Sequence, residues 1–210
     1  MQSAIFTDMR IIKIWNDQLD DKRIHEIADN LRNGEIMIAP TDTLYAIMCD
    51  AMSRSAIDKV CRIKGINPDK TNLSIICPNI SMASEYANFN NSTYQALKEL
   101  TPGPYTFLCK SAHSLPAIFK RRKIVGVRIP NVNVLRQITE YLGNPLLTTS
   151  IQYEDEDYGI NPELIAENYE NKVDFMLEGE EGILEPSTIL DCTGNEIEVI
   201  REGLGPIDTL

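Results

Sequence analysis

The residues best suited to chemistry are hydroxyls and cations at the ends of apolar segments. The sequence Pro-Thr-Asp-Thr-Leu-Tyr at residues 40–45 follows the apolar run 36–38, and open α/β sheets bind their ligands at strand ends. Similar positions further along the chain hold Lys64, Lys70, Thr106, Arg128, the run Thr148-Thr149-Ser150, Ser187 and Arg201. Donors and positive charge without a nucleophile–base pair favour an anionic ligand, such as a phosphate or a carboxylate.

Several of these residues also have a purely structural interpretation. Thr41 and Thr43 suit a helix cap or a turn, and Lys64 suits the C-terminal end of a helix dipole. Arg128 is a single charge in an apolar strand, so it requires either a structural ion pair or a ligand. The sequence contains no Walker A, G-x-G-x-x-G, G-x-S-x-G or H-E-x-x-H motif, so the common signatures of nucleotide-binding proteins, hydrolases and metalloproteases are absent.

The composition is that of an ordinary globular protein. The chain has 210 residues, of which 43% are hydrophobic and 24% charged, and no apolar run approaches the roughly 20 residues of a membrane span. Five scattered cysteines without a C-x-x-C pair argue against a disulfide framework and a zinc site. We expect a cytoplasmic protein. A net charge of −11 argues against a general nucleic-acid coat protein, although residues 120–123 form a basic run.

The apolar periodicity alternates between strand and helix and predicts a single α/β domain with a mixed sheet. Strands are predicted over residues 11–15, 35–39, 73–77, 105–110, 124–129, 145–149, 173–177, 187–191 and 196–200. Helices are predicted over residues 17–33, 53–63, 115–120 and 133–142, with further helices starting at 81, at 91 or 92, and at 161. The acidic segment 150–160 is predicted to be a loop.

Six motifs, taken in order, resemble those of the YrdC/YciO family. They are Pro-Thr-[Asp/Glu]-Thr-x-Tyr at 40–45, a lysine segment at 64–70, Pro-Gly-Pro-x-Thr at 102–106, Val-x-Val-Arg-x-Pro at 125–130, Pro-x-x-x-[Thr/Pro]-Ser at 145–150, and a final pair at 187–191 and 201–203. The resemblance extends from about residue 17 to 205 and implies one YrdC-like domain over residues 1–210. That domain is a twisted mixed sheet flanked by helices, with a concave basic cleft.

The resemblance also implies an activity, the formation of threonylcarbamoyl-AMP from ATP, L-threonine and bicarbonate for the tRNA modification N6-threonylcarbamoyladenosine. Carried over by motif, the catalytic residues would be Lys64, Lys70 and Arg128. Threonine would contact Thr43, Arg128 and Ser187, and the nucleotide would contact Lys64, Thr106, Ser150, Gln152 and Arg201. Mg²⁺ would accompany ATP without a metal site made of protein ligands alone.

Two positions depart from the synthase pattern. The synthases carry Lys-x-Arg where this chain has Ile66 after Lys64-Gly65, and Ser-x-Asn where it has Gln152 after Ser150-Ile151. Both departures resemble the YciO branch. Two alternatives therefore stay open: a module that binds double-stranded RNA or tRNA by shape and phosphate contacts, and a nucleotide-dependent enzyme with another acceptor. A deep pocket favours the enzyme, and a shallow basic groove favours RNA.

Overall fold

The secondary structure alternates as the periodicity predicts. The computed structural model describes residues 9–67, 71, 73–116, 119 and 123–208; Lys70 and half of the helix predicted over 115–120 lie outside them. The described helices are α1 (Asp21–Arg32), α2 (Arg54–Lys64), α3 (Ile80–Tyr86), α4 (Asn91–Leu100), α5 (Asn133–Leu142), α6 (Asp157–Ile160) and α7 (Pro162–Tyr169). The described strands are β1 (Arg10–Lys13), β2 (Met37–Ala39), β3 (Ala46–Asp50), β4 (Ser74–Ile76), β5 (Ala87–Asn88), β6 (Tyr105–Ser111), β7 (Ile124–Arg128), β8 (Leu146–Ser150), β9 (Phe175–Glu178), β10 (Thr188–Asp191) and β11 (Glu198–Arg201).

All of these strands belong to one mixed sheet. Its order is β1-β9-β2-β3-β8-β4-β7-β6-β10-β11, and β5 pairs with β6 beside this path. The pairs β1–β9, β9–β2, β4–β7 and β6–β10 are parallel, and the remaining pairs are antiparallel. The fold is therefore a single α/β domain with a mixed sheet, as predicted.

Helices pack on both faces of the sheet. The apolar sides of α1 and α5 bury residues such as Ile27 and Ile138 against one face, and those of α2, α3, α4 and α7 pack on the other. Within the described ranges, no helix has both the length and the apolar character that crossing a bilayer requires. Two helical layers thus sandwich most of the sheet.

Local capping decides where the first helix begins. Helix α1 starts at Asp21, later than predicted, because the Asp20 side chain accepts a hydrogen bond from the amide of Arg23 at 2.9 Å. Asp17 instead accepts hydrogen bonds from the first amides of α5, those of Asn133 and Val134. Helix α5 has the predicted bounds and ends at Gly143, whose φ of 73° is the left-handed conformation that glycine adopts readily.

Besides the later start of α1, strands β3 and β5 and the short helix α6 differ from the sequence prediction, which did not include them. Strand β3 was not predicted, because all five of its residues are buried and it lacks polar alternation. It pairs with β2 on one side and β8 on the other, in the middle of the sheet. The acidic segment 150–160, predicted to be a loop, contains the short helix α6.

Candidate functional site

A small cavity of 160 Å³ gathers five of the predicted site residues. They come from four different strands and the segment before β10: Thr106, Arg128, Ser150, Ser187 and Arg201. The rest of the described lining consists of hydroxyl-bearing and aliphatic residues, namely Ile66, Thr71, Leu73, Ser74, Thr148, Thr149 and Ile189. Among these described residues there is no carboxylate, so the lining is cationic and rich in hydroxyls.

The sheet register explains how residues so distant in sequence meet. Ser74 of β4 lies between Thr148 of β8 and Gly126 of β7. A Cβ atom on Gly126 would stand 2.4 Å from the Ser74 hydroxyl and 3.1 Å from the Thr106 methyl group. Residue 126 therefore has to be glycine for these three strands to approach each other here.

Arg128 is the most constrained cation at this cavity. Its Nη2 donates to Asp42 Oδ1 at 2.6 Å and to Thr43 Oγ1 at 3.0 Å. Its Nε is buried and has no hydrogen-bond partner. Burial lowers the pKa of Arg128, and the neighbouring Asp42 carboxylate opposes that shift. Arg128 thus has a structural ion pair on one side of the guanidinium and an unused donor on another.

Asp42 is the residue of this site that the sequence prediction missed. Its second oxygen accepts from the Asn131 amide at 2.9 Å, so it joins the 40–45 loop to the segment after β7. Its position between the two threonines of the motif marks the segment as functional but does not indicate that Arg128 is its partner. Thr41 has the structural role: its hydroxyl accepts from the Thr43 amide at 3.0 Å and donates to the Leu44 carbonyl at 2.8 Å.

A second hydrogen-bonded group lies where β6, β10 and β11 meet. The hydroxyls of Thr106 and Ser187 are 2.8 Å apart. Arg201 donates to the Ser187 carbonyl from Nε at 3.2 Å and from Nη2 at 2.7 Å. Arg201 is exposed, yet desolvation lowers its pKa. These contacts hold the Arg201 guanidinium beside the cavity.

Lys64 is the last residue of α2, and its ammonium reaches across to β8. Its Nζ donates to the carbonyl of Ser150, and burial lowers its pKa. Gly65 follows with φ 61° and ends the helix. The Lys64 ammonium therefore contacts another strand end, which goes beyond complementing the dipole of its own helix.

Gln152 lies in a different, larger cavity. This cavity measures 710 Å³, and its lining includes Ile63, Gln152 and three tyrosines, Tyr153, Tyr158 and Tyr169. Ile63 precedes Lys64, and Gln152 follows Ser150 by two residues, so the two cavities flank the Lys64–Ser150 contact. The larger volume is in the range of ligand pockets, and 160 Å³ is below it.

Comparison with known proteins identifies the family. Residues 29–203 match the family model of the Sua5/YciO/YrdC domain, which is described as telomere recombination. The chain belongs to the Sua5/YciO/YrdC family. It is 30% identical to YciO of Escherichia coli over 197 residues, covering 92% of this chain and 95% of YciO. The crystal structure of that protein superposes with a TM-score of 0.87 at 29% identity, covering 95% of this chain and 98% of YciO.

Two further family members carry information on activity. A putative threonylcarbamoyl-AMP synthase of Methanocaldococcus jannaschii is 31% identical over 204 residues, which cover 96% of each chain. The P. abyssi Sua5 structure complexed with L-threonine has a TM-score of 0.81 at 22% identity, covering 94% of this chain and 58% of Sua5. At that identity the likeness to Sua5 is one of fold. The family and fold predicted from the motifs are confirmed, and the roles of individual residues stay predictions.

Proposed function

We propose that this Sua5/YciO/YrdC protein binds L-threonine and ATP at the two cavities beside the Lys64–Ser150 contact and, with bicarbonate, forms threonylcarbamoyl-AMP. The observation that carries the proposal is the buried guanidinium of Arg128, a residue that lines the small hydroxyl-rich cavity and whose Nε has no hydrogen-bond partner. The relative named as a putative threonylcarbamoyl-AMP synthase and the threonine complex of Sua5 support the choice of ligand.

In this proposal the small cavity takes the amino acid. Arg128 pairs with the α-carboxylate through its unused donor, while Asp42 and Thr43 keep the guanidinium plane fixed. A guanidinium suits this task because it is planar and stays charged. Ser187 completes the wall on the opposite strands, where Thr106 and Arg201 orient it.

The nucleotide lies over the Lys64–Ser150 contact, between the two cavities. Its phosphates face Lys64, Ser150 and Arg201, and the nucleoside extends toward Gln152 in the larger cavity. Thr106 supports this anion-binding region from β6, and Lys70, outside the described residues, belongs to the same lysine segment. The described lining of the small cavity offers hydroxyls but no carboxylate, so Mg²⁺ would be held mainly by the ATP phosphates.

The chemistry requires charge stabilisation at one place. The threonine amine and bicarbonate form a carbamate with release of water; a carbamate oxygen then attacks the α-phosphorus of ATP, and the bond to the departing pyrophosphate breaks. Negative charge accumulates on that pyrophosphate, and fixed cations are the groups that stabilise developing charge most effectively. Lys64 and Arg201 are proposed for this task, and Arg128 orients the attacking amino acid.

Pyrophosphate release tests the proposal. Protein with ATP, Mg²⁺, L-threonine and bicarbonate should release pyrophosphate, and omitting threonine or bicarbonate should stop the release. Absence of threonine-dependent pyrophosphate from folded protein, together with tight and salt-sensitive binding of double-stranded RNA, would favour the RNA-binding alternative. Pyrophosphate release that depends on a different amine would indicate another acceptor.

A further inference from the structure

Strand β1 lies at one end of the sheet and has an open edge. Among the described strands it pairs with β9 alone. The amides of Arg10 and Ile14 donate to carbonyls of β9 and of the residue before it. Because the residues that bond one neighbour alternate along a strand, the backbone groups of Ile11 and Lys13 face the open side. An open edge of this kind is a template for pairing with another extended chain.

The only tryptophan of the chain lies exposed just after this edge. The side chain of Trp15 is 75% exposed, although large aromatic residues are usually well buried. Trp15 begins a tight turn that closes with a hydrogen bond from the Gln18 amide to the Trp15 carbonyl at 3.0 Å. Asn16 and Asp17 between them have left-handed φ values of 50° and 53°, and the Asp17 carboxylate accepts from the first amides of α5. The turn therefore presents Trp15 on a fixed backbone.

A groove of 430 Å³ runs beside the open edge, between β1 and the start of α1. Its lining includes the apolar side chains of Ile11, Trp15 and Leu19 and the cations Arg10, Lys13 and Arg23. None of these six residues lines either cavity of the candidate site. The groove is thus a separate surface, in which apolar and cationic groups lie beside unpaired backbone.

The charge of this groove differs in sign from that of the whole protein. Its described lining holds three cations against two carboxylates, Asp20 and Glu26, whereas the chain has a net charge of −11. The cations form ion pairs with surface carboxylates: Arg10 with Glu35, Lys13 with Glu178 and Arg23 with Glu26. The three cationic side chains are 43–63% exposed, and exposed pairs of this kind contribute little to stability. They can therefore exchange their carboxylates for those of a ligand.

We propose that the open edge of β1 docks an extended acidic segment of a partner protein, which adds a strand to the sheet. The backbone of that segment bonds Ile11 and Lys13, its carboxylates pair with the cations of the groove, and an apolar side chain packs on Trp15. A nucleic acid fits less well, because it has phosphates for the cations but no amides and carbonyls to complete a sheet edge. A second copy of this chain would bring the cations of two identical edges together. This inference is independent of the proposed function.

The fluorescence of Trp15 tests the proposal directly, because no other tryptophan contributes to the signal. The probe is a short, terminally blocked peptide of alternating Glu and Val residues, titrated into the full chain. It should give a saturable change in fluorescence. Lys13→Glu should weaken binding about tenfold or more, because it removes a charged partner. The matched control Lys98→Glu makes the same charge change on an exposed residue of α4 and should bind like the wild-type protein.

Two changes to the probe separate backbone pairing from charge. Methylation of its interior backbone amides removes the donors that a strand needs and should abolish binding, and Lys in place of Glu should weaken binding about tenfold or more. No saturable change with the acidic peptide, or equal affinity for any of these peptides or for Lys13→Glu, overturns the proposal. A response of Trp15 to a single-stranded oligonucleotide but not to the peptide, or self-association that Trp15→Ala abolishes, would assign the edge to a different occupant and overturn it as well.

Discussion

Removal of the Asp42 carboxylate should destabilise the protein strongly. Asp42 and Arg128 are joined at 2.6 Å, and their side chains are only 10% and 8% exposed. Asp42→Ala leaves a buried guanidinium without its counter-charge and frees the Asn131 amide. Breaking a buried ion pair by removing one partner costs about 3–5 kcal/mol of the free energy of unfolding.

Urea denaturation monitored by circular dichroism measures this change in the free energy of unfolding, and the chain offers a matched control. Arg54 and Asp58 form an exposed pair on α2, with side chains 64% and 47% exposed. Asp58→Ala should cost only about 0.3–0.5 kcal/mol, as is usual for exposed helical pairs. The difference between the two variants isolates the effect of burial.

A double variant separates the loss of the Asp42–Arg128 ion pair from the free-energy cost of a buried, unpaired guanidinium. Asp42→Ala with Arg128→Leu removes the uncompensated guanidinium as well, so it should recover part of the stability lost in Asp42→Ala. Two results would refute this reasoning: an Asp42→Ala protein within about 1 kcal/mol of wild type, or a double variant less stable than Asp42→Ala.

Three other predictions concern the nucleotide region and the loop that Tyr45 anchors. Burial lowers the pKa of Lys64, so as pH rises Lys64 should lose its positive charge, and the protein its affinity for ATP, at a lower pH than with an ordinary lysine. Lys64→Arg keeps its charge and should retain ATP affinity to higher pH in calorimetric titrations. Coincident pH profiles of the two proteins would contradict this. Tyr45→Phe loses the hydrogen bonds with the Gly179 amide and the Glu180 carbonyl and should cost about 1–3 kcal/mol in urea denaturation; an unchanged midpoint would count against it. Ile66→Arg should tighten ATP binding about ten- to a hundredfold, whereas equal affinity would show that another cation serves the phosphates.

Local signals made parts of the fold predictable from sequence. Helix α5 could be bounded because its apolar stripe ends at a glycine, and α2 because Ser53 caps it. Helix α7 begins at an Asn-Pro pair in which Asn161 caps the first turn. In each case the residues that decide the boundary lie within the element itself.

Strand β3 shows where such signals fail. Residues 46–50 are buried on both faces, so the sequence shows neither polar alternation nor a helical stripe. Its position in the sheet comes from pairing with β8, about a hundred residues away. Short buried strands of this kind are fixed by tertiary pairing, which periodicity does not report.

The candidate site was predictable as a set of residues but not as a network. Motifs pointed to Thr43, Thr106, Arg128 and Arg201, because strand ends in α/β sheets gather ligands. The Asp42–Arg128 pair joins residues 86 positions apart, and nothing local distinguishes Asp42 as the partner. Gln152 likewise lies in the larger cavity because of how α7 packs: the backbone amide of Gln152 donates a hydrogen bond to the hydroxyl of Tyr169 in α7.

In the proposed synthesis of threonylcarbamoyl-AMP, the Arg128 guanidinium binds the carboxylate of threonine. The most direct test of this role compares threonine-dependent pyrophosphate release by the wild-type protein and by Arg128→Lys, with Arg54→Lys as an exposed control. Lysine keeps a charge for Asp42 but lacks the Nε donor, so kcat/KM for threonine should fall about ten- to a hundredfold, while the control stays near wild type. Threonine-dependent release that Arg128→Lys leaves unchanged would contradict this role.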